Sequence, residues 1–167
     1  MMEIILTVMA SDRPGIVEQL AAVIEAEGAS WQESRMATMA GRFTGIVRVE
    51  LEQGNYPPLQ KALQALRDKG LSVQIELGES EAEIAQRCTI AVVGNDRPGI
   101  VREVSRALAT MNINVIELTT EIEPASMSGG ILFRAEIELG LTKDQSLEAV
   151  INGLEGLSPD LMVDQTA

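Results

Sequence analysis

Apolar and polar residues alternate in a short segment near the start of the chain, and the same alternation returns in the second half. Apolar side chains occupy every second position from Ile4 to Val8 and again from Cys88 to Val92. A period of two is typical of a β-strand that buries one face. The pattern therefore predicts two equivalent strands, one in each half of the chain.

The segments that follow each strand also correspond between the halves. Apolar residues spaced by four predict a helix after each strand: Ile16, Leu20 and Ile24 in the first half, and Ile100, Val104 and Leu108 in the second. Alternating segments follow at 43–51 and 131–139, helical patterns at 59–66 and 147–154, and short alternating segments at 71–75 and 160–163. With a second strand that opens at Asn112 to Val115, and at the equivalent place in the first half, each half reads strand, helix, strand, strand, helix, strand.

This order of elements predicts an α+β fold. Two split βαβ units with right-handed crossovers give a ferredoxin-like domain, an antiparallel four-stranded sheet with two helices on one face. We expect two such domains in tandem, at residues 1–78 and 86–167. The acidic, polar segment 79–85 is the candidate linker between them.

The strongest identity between the halves is a hexapeptide. Asp12-Arg13-Pro14-Gly15-Ile16-Val17 recurs letter for letter as Asp96-Arg97-Pro98-Gly99-Ile100-Val101. Each copy stands between a predicted strand and a predicted helix. Internal repetition of this kind indicates that the chain contains two copies of one structural unit.

The hexapeptide has two interpretations. With Pro14 and Pro98 at the first helical position, the following amides face outward and attract an anion such as an amino-acid carboxylate. Asp12 and Asp96 would then bond those amides or bind a ligand ammonium group. Alternatively, the sequence is only a good strand-to-helix turn with an aspartate cap.

Composition narrows the function further. The net charge is −12, which argues against direct binding to nucleic acid. The chain has no histidine and a single cysteine, Cys88, which we place in the core. The commonest general base and the commonest transition-metal ligand are therefore missing, and we expect no enzyme activity, no metal and no cofactor. An enzyme using paired carboxylates remains an open alternative. No segment is long and apolar enough to span a membrane, so we expect a cytoplasmic protein.

Together, the strand, the Asp-Arg-Pro-Gly-Ile-Val helix start and the segment Asn112-Ile113-Asn114-Val115 resemble the ACT domain, a small-molecule-sensing module of amino-acid metabolism. The tandem arrangement is similar to the glycine cleavage system transcriptional repressor family. The resemblance implies that an amino acid binds where the first loop and helix start of one unit meet the second-strand region of a partner unit.

The resemblance also identifies the candidate ligand-binding residues. In the first half they are Ser11, Asp12, Arg13, Pro14, Gly15 and Ile16, and in the second half Asn95, Asp96, Arg97, Pro98, Gly99, Ile100, Asn112 and Asn114. Asn112 also suits the left-handed position at a helix end. The first half reads Gly28-Ala29-Ser30-Trp31 at the place of Asn112 to Val115, so we expect the two sites to differ.

The expected function is therefore regulatory. The resemblance implies a homo-oligomer that binds a small amino acid, with glycine as the first candidate, and that controls transcription through a separate DNA-binding regulator protein. The alternative is a structural oligomerisation module without a ligand, because an open four-stranded sheet leaves edges that another chain can pair with.

Overall fold

A computed structural model describes residues 1–127 and 129–166 of the chain. The protein divides into two compact units, Met1–Ser80 and Glu81–Ala167. The division falls within the segment 79–85. Each unit is described separately below.

The first unit has the predicted order of elements. They are β1 (Met2–Ser11), α1 (Ile16–Ala26), β2 (Ser30–Met39), β3 (Arg42–Leu51), α2 (Tyr56–Ala65) and β4 (Leu71–Leu77), with short 3-10 turns at Gln53–Asn55 and Leu66–Lys69. The four strands form one antiparallel sheet in the order β2-β3-β1-β4. The strand β1 is therefore central and paired on both sides.

The second unit repeats this topology. Its elements are β5 (Gln86–Asn95), α3 (Ile100–Thr110), β6 (Asn114–Pro124), β7 (Ile131–Leu141), α4 (Leu147–Glu155) and β8 (Met162–Thr166). The sheet order is β6-β7-β5-β8, and every pairing is antiparallel. The predicted fold class, two tandem ferredoxin-like βαββαβ domains, is confirmed.

Each unit has its own hydrophobic core between the sheet and the two helices. The predicted alternation is confirmed, since Ile4, Leu6 and Val8 are fully buried. Among the described residues, no polar or charged side chain is buried. The pattern expected for α4 needs a small correction. Val150 and Leu154 form its buried stripe, and Leu147 and Ile151 lie at the border.

In each unit the repeated hexapeptide directly follows the central strand, so it lies at one end of the sheet. The strand β1 ends at Ser11, opposite Arg42 at the start of β3, and β5 ends at Asn95, opposite Leu132 near the start of β7. Because central strands are hydrogen-bonded on both sides, the point at which each loop leaves the sheet is fixed.

Candidate functional site

Each hexapeptide forms a tight turn that starts a helix. Gly15 and Gly99 are the helix caps, with left-handed φ values of 89° and 88° and ψ near zero. In the second unit the Ile100 amide donates to the Arg97 carbonyl at 3.3 Å, which closes a four-residue turn. These angles, with proline before glycine, define a type II turn.

The turn corrects the expected role of the prolines. Pro14 and Pro98 stand before the caps and not at the first helical position, because the helices begin at Ile16 and Ile100. Proline suits the second residue of a type II turn, and glycine is needed at the third, where φ is positive. The Pro-Gly pair is thus explained by the turn itself.

The starts of both helices lack a side-chain cap, in α1 and in α3 alike. A Cβ atom added to Gly15 or Gly99 would meet nothing within 4 Å, so the space above both turns is open. A helix start with uncapped amides and open space is suited to an anionic group. Ile16 and Ile100 are buried in the cores, and the Ile100 amide already donates to the Arg97 carbonyl.

The expectation that the aspartates cap the helices is wrong. The backbone amide of Asp12 donates to the Gly41 carbonyl, and that of Asp96 to the Ile131 carbonyl, so both residues lie against the neighbouring hairpin. Asp12 Oδ1 accepts from the Thr38 hydroxyl at 3.3 Å. Within residues 1–127 and 129–166, the exposed Asp96 carboxylate has no hydrogen-bond partner. It is available to a ligand ammonium group.

The arginines fold back onto their own units. Arg13 Nη2 donates to Gln19 Oε1 and to the Lys69 carbonyl, both at 2.9 Å. Arg97 Nη2 bonds Glu103 Oε2, and its Nη1 lies 3.9 Å from Asp160 Oδ2. The hydrogen bond to Glu103 raises the pKa of Arg97. Both arginines tie the turn to the body of the unit.

Asp160 belongs to this cluster, and sequence reasoning missed it. Its Oδ2 accepts from the Asn95 amide at 2.8 Å, and its Oδ1 accepts from the Ser158 hydroxyl. The Ser158 hydroxyl, the Asn95 amide and the Arg97 charge lower the pKa of Asp160, against a smaller opposing effect of burial. The only sequence signal is that Asp160 replaces Gly70, its counterpart in the first unit, just before the last strand.

Asn112 ends a helix in the left-handed conformation. Its φ is 55°, its amide donates to the Ala109 carbonyl, and the next amide, of Ile113, donates to Leu108. These two bonds form a Schellman motif. Gly28 does the same in the first unit, with φ of 68°. The capping interpretation of Asn112 is therefore confirmed, and a ligand contact of its exposed amide stays a prediction.

The candidate residues of the second unit do not all lie close together. Asn112 follows α3, whereas Asp96 to Gly99 precedes it, and eleven helical residues span about 16 Å. Asn114 pairs with Gly140, at the end of the sheet where β5 begins, far from Asn95 at its other end. A site that uses both the loop and Asn114 therefore cannot form within this unit alone.

Other chemistry receives little support from the described residues. Within 1–127 and 129–166, no group of three acidic or cysteine side chains is arranged to hold a metal ion. No helix in this part of the chain is long and apolar enough to cross a membrane. Cys88 is buried, and burial raises the pKa of its thiol.

Comparison with known proteins gives a family match for the first unit. Residues 3–77 match the family model described as the ACT domain. The second unit lies outside this match and repeats the topology of the first. No curated protein sequence matches the chain.

Two solved structures span the whole chain. An unknown protein from Galdieria sulphuraria is 26% identical, with 99% of both chains covered and a TM-score of 0.80. A candidate glycine cleavage system transcriptional repressor is 17% identical, with 99% of this chain and 96% of that chain covered and a TM-score of 0.73. At 17% identity, the likeness to the second structure shows a shared fold and nothing more. The chain thus has the fold of two ACT-like domains in tandem.

Proposed function

We propose that the protein is a non-catalytic sensor of a small amino acid, with glycine as the first candidate. The observation that carries the proposal is the duplicated turn, which leaves helix amides without a side-chain cap beside an exposed aspartate. The amides suit an α-carboxylate, and the Asp96 carboxylate suits an α-ammonium group. An α-amino acid carries both charges at a short separation.

The remaining candidate residues enter the proposal as a second half of the site. Asn112 and Asn114 are exposed, yet they lie at the opposite end of their own unit from Asp96. We assign them to the ligand site of a second copy of the chain. Ligand binding then favours one association of chains over another, which is how a sensor converts binding into a signal.

The proposed output is control of transcription in amino-acid metabolism. The likeness to a candidate glycine cleavage system repressor supports this output. The net charge of −12 opposes direct contact with DNA, so we place a DNA-binding regulator protein between the sensor and the promoter, in the cytoplasm.

The ionisable groups support a role without catalysis. The pKa values of the Glu33 and Asp160 carboxyl groups are both lowered. In Glu33 the main cause is the hydrogen bond from Arg35. A general acid working near neutral pH needs the opposite shift, an elevated pKa.

Calorimetric titration of the full chain with each of the twenty amino acids tests the sensing role. We expect one or a few small amino acids to bind, and Asp96→Ala to weaken that binding at least tenfold without a matching loss of thermal stability. Asp144→Ala removes another exposed carboxylate and serves as the control. Absence of binding across the panel, with ligand-free protein confirmed, would sink the proposal.

A second candidate function is structural association through strand β6. This edge strand exposes Leu118 by 47% and Ile122 by 63%, on the sheet face that carries the helices, where their partners in β7 are core residues. Its counterpart β2 has Ser34 and Thr38 on the same face. Light scattering separates the two candidates, because a purely structural module keeps one oligomeric state whether or not amino acids are added.

A further inference from the structure

The two hexapeptides are identical in sequence, but the residues that hold them in place are not. Arg13 is held by the neutral amide of Gln19 and the carbonyl of Lys69. Arg97 is held by two carboxylates, those of Glu103 and Asp160. The second turn is therefore restrained by charged partners that the first turn lacks.

Asp160 contacts the second loop at two points. Its Oδ2 accepts a hydrogen bond at 2.8 Å from the backbone amide of Asn95, the last residue of β5. It also lies opposite the guanidinium group of Arg97. The backbone carbonyl of Arg97 accepts a hydrogen bond from the Ile100 amide, which closes the type II turn. One carboxylate thus fixes both the start of the loop and the residue that opens the turn.

The surrounding sequence makes room for this carboxylate. A Cβ atom on Gly94 would lie 2.6 Å from Leu161 Cδ2 and 3.3 Å from Asp160 Oδ2, so glycine lets both residues lie close to β5 without displacement. In the first unit the corresponding position is Ala10, and the residue at the place of Asp160 is Gly70. In the first unit the glycine of this contact is Gly70, before the last strand, and in the second unit it is Gly94, in the central strand.

Asp160 is itself held in position. The Ser158 hydroxyl bonds its Oδ1, and the Leu161 amide donates to the Ser158 carbonyl at 3.2 Å, which closes the turn before β8. The carboxylate is about one quarter exposed, with a side-chain exposure of 28%. A partly shielded carboxylate that accepts hydrogen bonds from an amide and a hydroxyl group and lies beside a guanidinium group is a stronger restraint than a fully solvated ion pair.

We propose that Asp160 is a positioning residue for the ligand loop of the second unit. By holding Asn95 and Arg97 it sets the turn at Pro98 and Gly99, and so the direction of the uncapped amides of α3. This inference rests on the proposed amino-acid sensing. It assigns the preorganised site to the second unit, because the first unit has no side chain at Gly70 to do the same.

Three full-length variants test the proposal. Asp160→Gly introduces the residue that stands at the equivalent position of the first unit and removes both contacts. Asp160→Asn keeps an oxygen that accepts from Asn95 but removes the charge opposite Arg97. Asp164→Asn is the matched control, since this exposed aspartate of β8 has no part in the cluster.

Binding of each of the twenty amino acids is measured by calorimetry, with thermal midpoints and hydrogen exchange of the Asn95 amide recorded in parallel. We expect Asp160→Gly to weaken affinity at least tenfold and to speed exchange at Asn95. Asp160→Asn should show a smaller loss of affinity and a smaller rise in the exchange rate at Asn95 than Asp160→Gly. Asp164→Asn should match the parent protein in both measurements. Partial recovery at similar thermal midpoints distinguishes positioning from a general loss of stability.

The contrary outcomes are distinct. Equal affinity in Asp160→Gly and the parent protein overturns the positioning role while leaving amino-acid sensing intact. Asp160→Asn binding as weakly as Asp160→Gly also overturns it, since the bond to Asn95 would then contribute nothing. A parent protein that binds no amino acid overturns the proposed function itself. If Asp160→Gly does not fold, Asp160→Asn and Ser158→Ala carry the test by the same readouts.

Discussion

At the scale of single residues, backbone conformation explains more of the repeated sequence than side-chain chemistry does. Gly15 and Gly99 are required by φ values near 90°, because a Cβ atom is unfavourable there even in open space. The arginines hold the turns in place. Of the hexapeptide's polar side chains in the second unit, Asp96 is the one left exposed and without a hydrogen bond in the described part of the chain. The ligand hypothesis therefore rests on Asp96 and on backbone amides.

Asn112 allows capping and ligand binding to be separated by one substitution. Glycine serves the same left-handed position at Gly28, so Asn112→Gly should leave the free energy of unfolding within about 0.5 kcal/mol of the parent value. Asn112→Ala should lower it by about 1 kcal/mol, since alanine tolerates positive φ poorly. Chemical denaturation measures both changes.

The same two variants report on the ligand site. If the Asn112 amide contacts an amino acid, Asn112→Gly should weaken binding although stability is kept. Unchanged affinity in a calorimetric titration would leave Asn112 with a capping role alone.

At the scale of elements, the sequence predicted the strands, the helices and their order, because burial imposes a clear period on both kinds of element. It did not predict the type II turn in detail, since the Pro-Gly pair fits both a turn and the first helical position. Asp160 could not be found, because its role depends on contacts with Asn95 and Arg97, more than sixty residues away. Side-chain clusters of that kind leave no periodic signal.

The hairpin between β2 and β3 gives a prediction about one connection. Ala40 and Gly41 form its two-residue turn with φ values of 48° and 76°. Positive φ at both positions is the mark of a type I′ turn, in which asparagine is favoured over alanine at the first position. Ala40→Asn should therefore stabilise the first unit by about 0.5–1 kcal/mol.

Thermal unfolding checks this expectation. Ala37→Asn, at an exposed position within β2, is the control, and it should leave stability unchanged or lower it because asparagine disfavours strands. A lower thermal midpoint for Ala40→Asn would contradict the prediction, because it would show that alanine adopts the left-handed conformation at position 40 without a cost in free energy.

At the scale of the whole molecule, one fold occurs twice with different surroundings at equivalent positions. The turns and the topology are shared, whereas the partners of Arg13 and Arg97 and the outer edges β2 and β6 differ. Each unit also has a separate hydrophobic core. The two units thus share the hexapeptide and its turn, whereas the residues that hold the turn differ.

Separate cores predict separable effects on unfolding. Leu63 in the first unit and Leu154 in the second are fully buried counterparts in α2 and α4, and replacing either with alanine should cost about 2–5 kcal/mol. Because neither side chain belongs to the other's core, each substitution should lower one of two calorimetric transitions, and the double variant should show the sum of the single changes. Leu77→Ala, at an exposed position of β4, should leave both transitions in place. A single transition that both core substitutions lower together would mean that the two units unfold as one cooperative body, and a ligand bound at the second unit would then stabilise the first as well.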